Sequence, residues 1–142
     1  MIDQLLTFFH AHTALFIALF VAILGFIANE VHGAVTGGRK LGPAEAVRLI
    51  NDREALVVDI RPVAEFKKNH LLNALNLPLP KLDERASELG KDKSKPVIVY
   101  DALGGGALEA AVKLRKLGFT EVYPLRGGIN GWLGANLPVT AK

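Results

Sequence analysis

Two hydrophobic patterns divide this chain. From Leu5 to Ala28 no residue carries a formal charge, and apolar residues are densest from Ala14 to Ile27. As a helix that run spans about 36 Å at roughly 1.5 Å per residue, enough to cross a hydrocarbon core of about 30 Å. Beyond Lys40 the pattern breaks into short apolar runs separated by turn residues. Ala55 to Ile60, Ala74 to Leu77, Pro96 to Tyr100 and Val122 to Leu125 read as strands. Between them, Pro43 to about Asn51, Lys81 to Leu89 and Ala107 to Gly118 read as helices, the first with Pro43 in its opening turn and Ala46, Val47 and Ile50 facing inward. Strands alternating with helices predict an α/β fold, a parallel sheet covered by helices on both faces, preceded by one transmembrane helix. The domain plan is a tail at 1–4, the transmembrane helix at 5–28, a juxtamembrane linker at 29–40 with a flexible tether from Gly33 to Lys40, and the folded domain at 41–142.

A cleaved signal peptide is the competing reading of the apolar run, with Val31-His32-Gly33 as a weak cleavage site. Its leading segment should be basic, yet only Asp3 and the terminal amine precede the run. No Lys or Arg lies on the N-terminal side, whereas Arg39, Lys40 and Arg48 follow it, so the expected orientation is N-terminus outside and folded domain in the cytoplasm. Ala11, Ala14, Ala18, Ala22 and Gly25 recur at three- and four-residue steps, a face on which a second copy or another membrane helix could pack; chance in an alanine-rich helix explains the same stripe. His10 and His12 read as polar flanks of the membrane segment rather than as metal ligands.

Composition narrows the chemistry. Half of the residues are hydrophobic, the net charge is +3 and there is no cysteine. Disulfides and thiolate metal sites are therefore excluded. Lys91-Asp92-Lys93-Ser94-Lys95 interleaves charges with polar residues and reads as a solvated loop, not a nucleic-acid patch. Nothing in the pattern calls for a cofactor or a metal.

The candidate site is the loop Asp101-Ala102-Leu103-Gly104-Gly105-Gly106, between an apolar strand and an Ala/Leu/Glu/Lys-rich helix. Glycines there let backbone N–H groups curl into an anion nest at the helix N-terminus. Glu109 breaks the spacing of a dinucleotide fingerprint, and Asp101 spoils a phosphate cradle.

The flanking motifs run from Asp59-Ile60-Arg61-Pro62 through Glu65-Phe66 to His70 upstream, and through Tyr123-Pro124-Leu125-Arg126-Gly127-Gly128 to Gly131-Trp132 downstream. Together with the six-residue loop they resemble rhodanese-like domains over roughly residues 41–140, and the whole chain is similar to small bacterial inner-membrane rhodanese-like proteins with one N-terminal anchor. The resemblance implies a loop that begins with Cys and ends with Arg, often followed by Ser; here those positions hold Asp101, Gly106 and Ala107. A persulfide carrier needs a thiolate, and a carboxylate cannot form that S–S bond. Asn69, Asn73 and Asn136 stand where the family has glycine, and asparagine is the residue best able to keep such turns left-handed. By residue type and position, Asp59, Arg61 and Glu65 read as a structural ion-pair and capping group rather than catalysts, His70 as a backbone hydrogen-bonder rather than an acid–base group, and Trp132 as a core residue rather than a ligand platform. The expectation is a catalytically inert, membrane-anchored module that binds or scaffolds other proteins. Its rivals are an enzyme using Asp101 with Asp59 as second carboxylate, and a sulfur relay in which a partner supplies the cysteine.

Overall fold

The computed structural model describes residues 1–141, with the backbone alone considered at 33–37, and the chain divides into two units between Val35 and Thr36. In the first unit, α1 (Ile2–Ala11) is followed by α2 (Thr13–Gly37). The single helix expected at 5–28 is thus two, parted at His12, whose φ of −119° and ψ of 23° leave the helical region. Thr13 accounts for the break: its hydroxyl donates to the carbonyls of Phe9 (2.9 Å) and His10 (3.0 Å), competing with the backbone ladder. The apolar stretch Thr13–His32 is 20 residues, long and apolar enough to cross a membrane. The linker expected from residue 29 is instead helical through Gly37, since no proline interrupts it, and Gly38 at φ 72° stands just past its end. Ala11 falls on α1, so the predicted small-residue face on α2 consists of Ala14, Ala18, Ala22 and Gly25.

The second unit is the α/β domain. Its elements are α3 (Pro43–Arg53), β1 (Leu56–Asp59), α4 (Val63–Lys68), β2 (Leu75–Asn76), α5 (Leu82–Arg85), β3 (Val97–Tyr100), α6 (Gly105–Lys116), β4 (Val122–Pro124) and α7 (Gly128–Gly134). Short 3-10 turns at Leu79–Lys81 and Ala86–Leu89 flank α5, where one helix was expected. All neighbours in the sheet are parallel, in the order β2-β1-β3-β4, with Asp59 beside Tyr100 and Val97 beside Val122.

Alternation along β3 divides the core. Val97 and Val99 face Leu82, Ala107, Ala110 and Leu114 on one side of the sheet. Ile98 and Tyr100 face Ala46, Leu71, Ile129 and Trp132 on the other. All four β3 side chains are wholly buried, which is why that strand is a continuous apolar run rather than an alternating one. Gly118, at φ 102°, lets Phe119 fold back so that its N–H reaches the Leu114 carbonyl at 3.2 Å and closes α6.

Two helices were not foreseen. The six-residue α4 is too short to show a period, and three glycines in α7 hide a helix that packing imposes through buried Ile129 and Trp132. Trp132 also donates its indole N–H to the Pro138 carbonyl at 2.9 Å. Asn73 (φ 60°) and Asn136 (φ 58°) are left-handed, as expected. Asn69 is not: its φ of −163° is ordinary extended backbone, and its carbonyl accepts from Arg61 at 2.6 Å.

Candidate functional site

The carboxyl ends of β1 and β3 carry the two acidic residues that the sequence singled out, and they do different work. Asp59 is fully buried and Arg61 nearly so. The Asp59 carboxylate accepts from the Arg61 backbone N–H (2.9 Å), from Nε (3.1 Å to each oxygen) and from Nη2 (2.7 Å). Arg61 also donates to the Asn69 carbonyl, and its guanidinium lies 5.7 Å from the Tyr100 ring centroid. Burial alone would pull the guanidinium down, but Asp59's hydrogen bonds and charge more than offset this and hold it above its ordinary value. Burial, then the Asp59 charge, pushes the Tyr100 phenol well above the usual phenol range; its oxygen accepts the Leu71 N–H at 3.1 Å. With both of its oxygens already accepting from Arg61, Asp59 is not free to act as the second carboxylate of a site. Glu65 stands apart from this pair, exposed in the first turn of α4.

His70 follows the same structural logic. Its Nδ1 lies 2.8 Å from the Phe66 carbonyl and its ring stacks on Phe66 with centroids 3.8 Å apart. Its backbone exchanges hydrogen bonds of 2.8 Å with Thr140 in both directions, tying the C-terminal segment to the domain.

The loop from Asp101 to Gly106 does form a nest, and Asp101 itself fills it. One carboxylate oxygen accepts the Gly104 N–H, the other the Gly106 N–H at 2.6 Å. Gly104 caps α6 at φ 101°, a conformation that brings its N–H inward and that a side chain would oppose. Helix α6 consequently begins at Gly105, two residues earlier than the sequence pattern implied, because the internal carboxylate satisfies amides that α6 leaves open. Charge-assisted bonds of this kind contribute about 1.5–3 kcal/mol each when shielded; Asp101 is half-buried, so the lower end applies. A Cβ on Gly106 would sit 3.2 Å from an Asp101 oxygen and 3.5 Å from Ile60 Cδ1, so the glycine leaves room for the carboxylate.

The floor of the loop is a contribution that sequence reasoning missed. Ile129 and Asn130, at the start of α7, donate their N–H groups to the carbonyls of Asp101 (2.9 Å) and Ala102 (3.2 Å). Gly128, at φ 58°, makes that approach possible: a Cβ there would lie 2.7 Å from the Ala102 carbonyl carbon. The signal was the pair Gly127-Gly128, visible in the sequence without any indication of what it would touch. Leu103 is the opposite case, 74% exposed at the loop tip.

A parallel four-stranded sheet with a glycine-rich loop between β3 and α6 defines the class. Residues 42–135 match the model of the rhodanese-like domain, and the chain belongs to that family. The uncharacterized protein YibN of Escherichia coli is 35% identical over 138 residues, which cover 96% of each chain. GlpE of Coxiella burnetii, named a thiosulfate sulfurtransferase, is 35% identical over 94 residues, 66% of this chain and 86% of GlpE. Among solved structures, a thiosulfate sulfurtransferase from Pseudomonas aeruginosa superposes with a TM-score of 0.66 at 27% identity, over 72% of this chain and 20% of that one.

Proposed function

We propose that this protein is a membrane-anchored rhodanese-like module that does not transfer sulfur and instead binds or scaffolds another protein at the cytoplasmic face of a bacterial inner membrane. The observation that carries this reading is the Asp101 carboxylate seated on the Gly104 and Gly106 amides, in a chain with no cysteine. Sulfur transfer as performed by a thiosulfate sulfurtransferase requires a thiolate to take the sulfane sulfur and an unoccupied nest to receive an anionic donor. Here the first is missing and the second is filled by a fixed negative charge. Exposed Leu103 at the loop tip supports a protein-facing surface rather than a small anionic substrate. Asp101 as a nucleophile or base is disfavoured by the same geometry, since both of its oxygens already accept hydrogen bonds.

Purified full-length protein incubated with thiosulfate and a cyanide or thiol acceptor is expected to show no turnover above background. Measurable turnover without added protein cofactors would overturn the reading; turnover appearing only with a cysteine-bearing partner would support the sulfur relay instead.

The span Thr13–His32 followed by Arg39, Lys40 and Arg48 supports the anchor and its orientation. Partners would reach α2 through Ala14, Ala18, Ala22 and Gly25, beside which backbones can pack closely. Photo-crosslinkers placed at Ala18 and Ala22 in intact membranes are expected to capture protein, and one at Leu19 lipid. Equal lipid-only labelling at all three positions would reduce α2 to a plain anchor.

A further inference from the structure

Helices α1 and α2 distribute their apolar residues differently. On α1, Ile2, Leu5, Leu6 and Phe9 fall on one face at three- and four-residue steps, while Asp3, Gln4 and Thr7 fall on the opposite side and Phe8 and His10 sit at the two boundaries. Helix α2 is apolar all round from Ala14 to Ile27. Within its own unit the apolar face of α1 is left exposed: Ile2 is 74% exposed, Leu5 and Leu6 each 53%.

Length sets where α1 must lie. The 20 residues of Thr13–His32 reach about 30 Å at roughly 1.5 Å per residue, the thickness of the hydrocarbon core. With α2 across the core, α1 begins where the core ends. A straight continuation would carry Ile2, Leu5 and Leu6 through the headgroups into water. The helix is interrupted instead at His12, where the backbone leaves the helical region and the chain is free to change direction. The break is a built joint rather than a frayed end. The Thr13 hydroxyl occupies the carbonyls of Phe9 and His10. Across the break the Phe16 ring packs on Phe9 with centroids 4.5 Å apart and on Phe8 at 6.2 Å. Phe16 is the one residue from 1 to 32 that is half-buried rather than exposed.

We propose that α1 is an interfacial helix, lying along the bilayer surface at the N-terminal end of α2 with its apolar face among the upper acyl chains and its polar face toward water. The occupant of that face is lipid, because α2 holds α1 at the lipid surface and the two faces segregate as a water–hydrocarbon boundary requires. Asp3 is the one acidic side chain on α1, which has no Lys or Arg, so burial of apolar area binds it and anionic headgroups do not. This inference rests on the reading that α2 spans a membrane.

The absence of cysteine makes a clean test possible, since each introduced thiol is unique. Full-length variants from Ile2→Cys to Ala11→Cys and from Ala14→Cys to Ile27→Cys are spin-labelled in phosphatidylcholine vesicles. Collision with oxygen and with a water-soluble nickel chelate is then measured at each site. The expected result is a 3.6-residue oscillation along α1, with the oxygen-to-nickel ratio several-fold higher at Ile2, Leu5, Leu6 and Phe9 than at Asp3, Gln4 and Thr7, and a uniformly high ratio in the middle of α2. The pattern should persist unchanged when phosphatidylglycerol is added. A ratio high at all α1 positions would mean that α1 continues the span, and one low at all of them that α1 is a free aqueous tail. An apolar face shielded from both reagents would mean a protein covers it. Each of these three overturns the proposal while leaving the anchor intact. Aqueous exposure along α2 as well would instead remove the anchor.

Discussion

Arg61→Met is expected to destabilise the folded domain by about 3–5 kcal/mol, because it leaves the wholly buried Asp59 carboxylate without its counter-charge. In a domain of this size that corresponds to a fall in Tm of roughly 12 °C or more, readable by thermal unfolding of the detergent-solubilised protein. The cost arises from the orphaned charge rather than from the lost attraction. The double variant with Asp59→Asn should therefore recover a substantial part of the loss, since a neutral amide is cheaper to bury. Asp59→Asn alone should cost less than Arg61→Met, since Arg61 keeps the Asn69 carbonyl as acceptor. If the single and double variants were equally unstable, the pair would owe its place to packing on Tyr100 rather than to charge.

Asp101→Cys should create a thiol of unusually low pKa in a chain that otherwise has none. The sulfur would replace the carboxylate at the Gly104 and Gly106 amides, and its larger radius compensates for the shorter side chain. Helix N-termini and convergent N–H groups pull cysteine well below its ordinary value of about 8.5. A drop of one unit raises the thiolate fraction at neutral pH about tenfold. The natural control is Leu103→Cys, exposed two residues away in the same loop. Alkylation by iodoacetamide at pH 7 should be several-fold faster at position 101 than at 103, with the difference vanishing above about pH 9 as both thiols ionise. Equal rates at pH 7 would show that the loop amides do not stabilise an anion, and that Asp101 is held there for another reason.

The two variants separate the two acidic residues that lie at neighbouring strand ends. One is structural and shielded; the other is a surface feature of a loop built to hold negative charge. In this chain the charge is covalently part of the protein, which is the physical basis for reading the domain as a binding module and not as a sulfur carrier.

Much of this was legible without coordinates. Strands β1, β3 and β4 and the long helices α3 and α6 announced themselves through apolar runs and periodicity. The absence of a thiol is a property of composition alone, and the Asp59–Arg61 relation was foreseen through the signature that carries it. Other features depend on partners distant in the chain. Helix α7 exists because its buried face meets β3 and α3, which outweighs its glycines. Asn69 escapes the left-handed region that its neighbours in type adopt, because its carbonyl is claimed by Arg61.

The sequence by itself determined that this chain is an α/β domain behind one apolar helical run, with a carboxylate and no sulfur at the mouth of a glycine-rich loop. Periodicity, length and residue chemistry are local, so they survive being read one residue at a time. Only the tertiary structure decided that Asp101 turns back onto its own loop amides, that Gly128 lets α7 brace that loop from below, and that the apolar run is jointed at His12. Each of those depends on which backbone groups lack a partner once the chain has folded, and that accounting closes only in three dimensions.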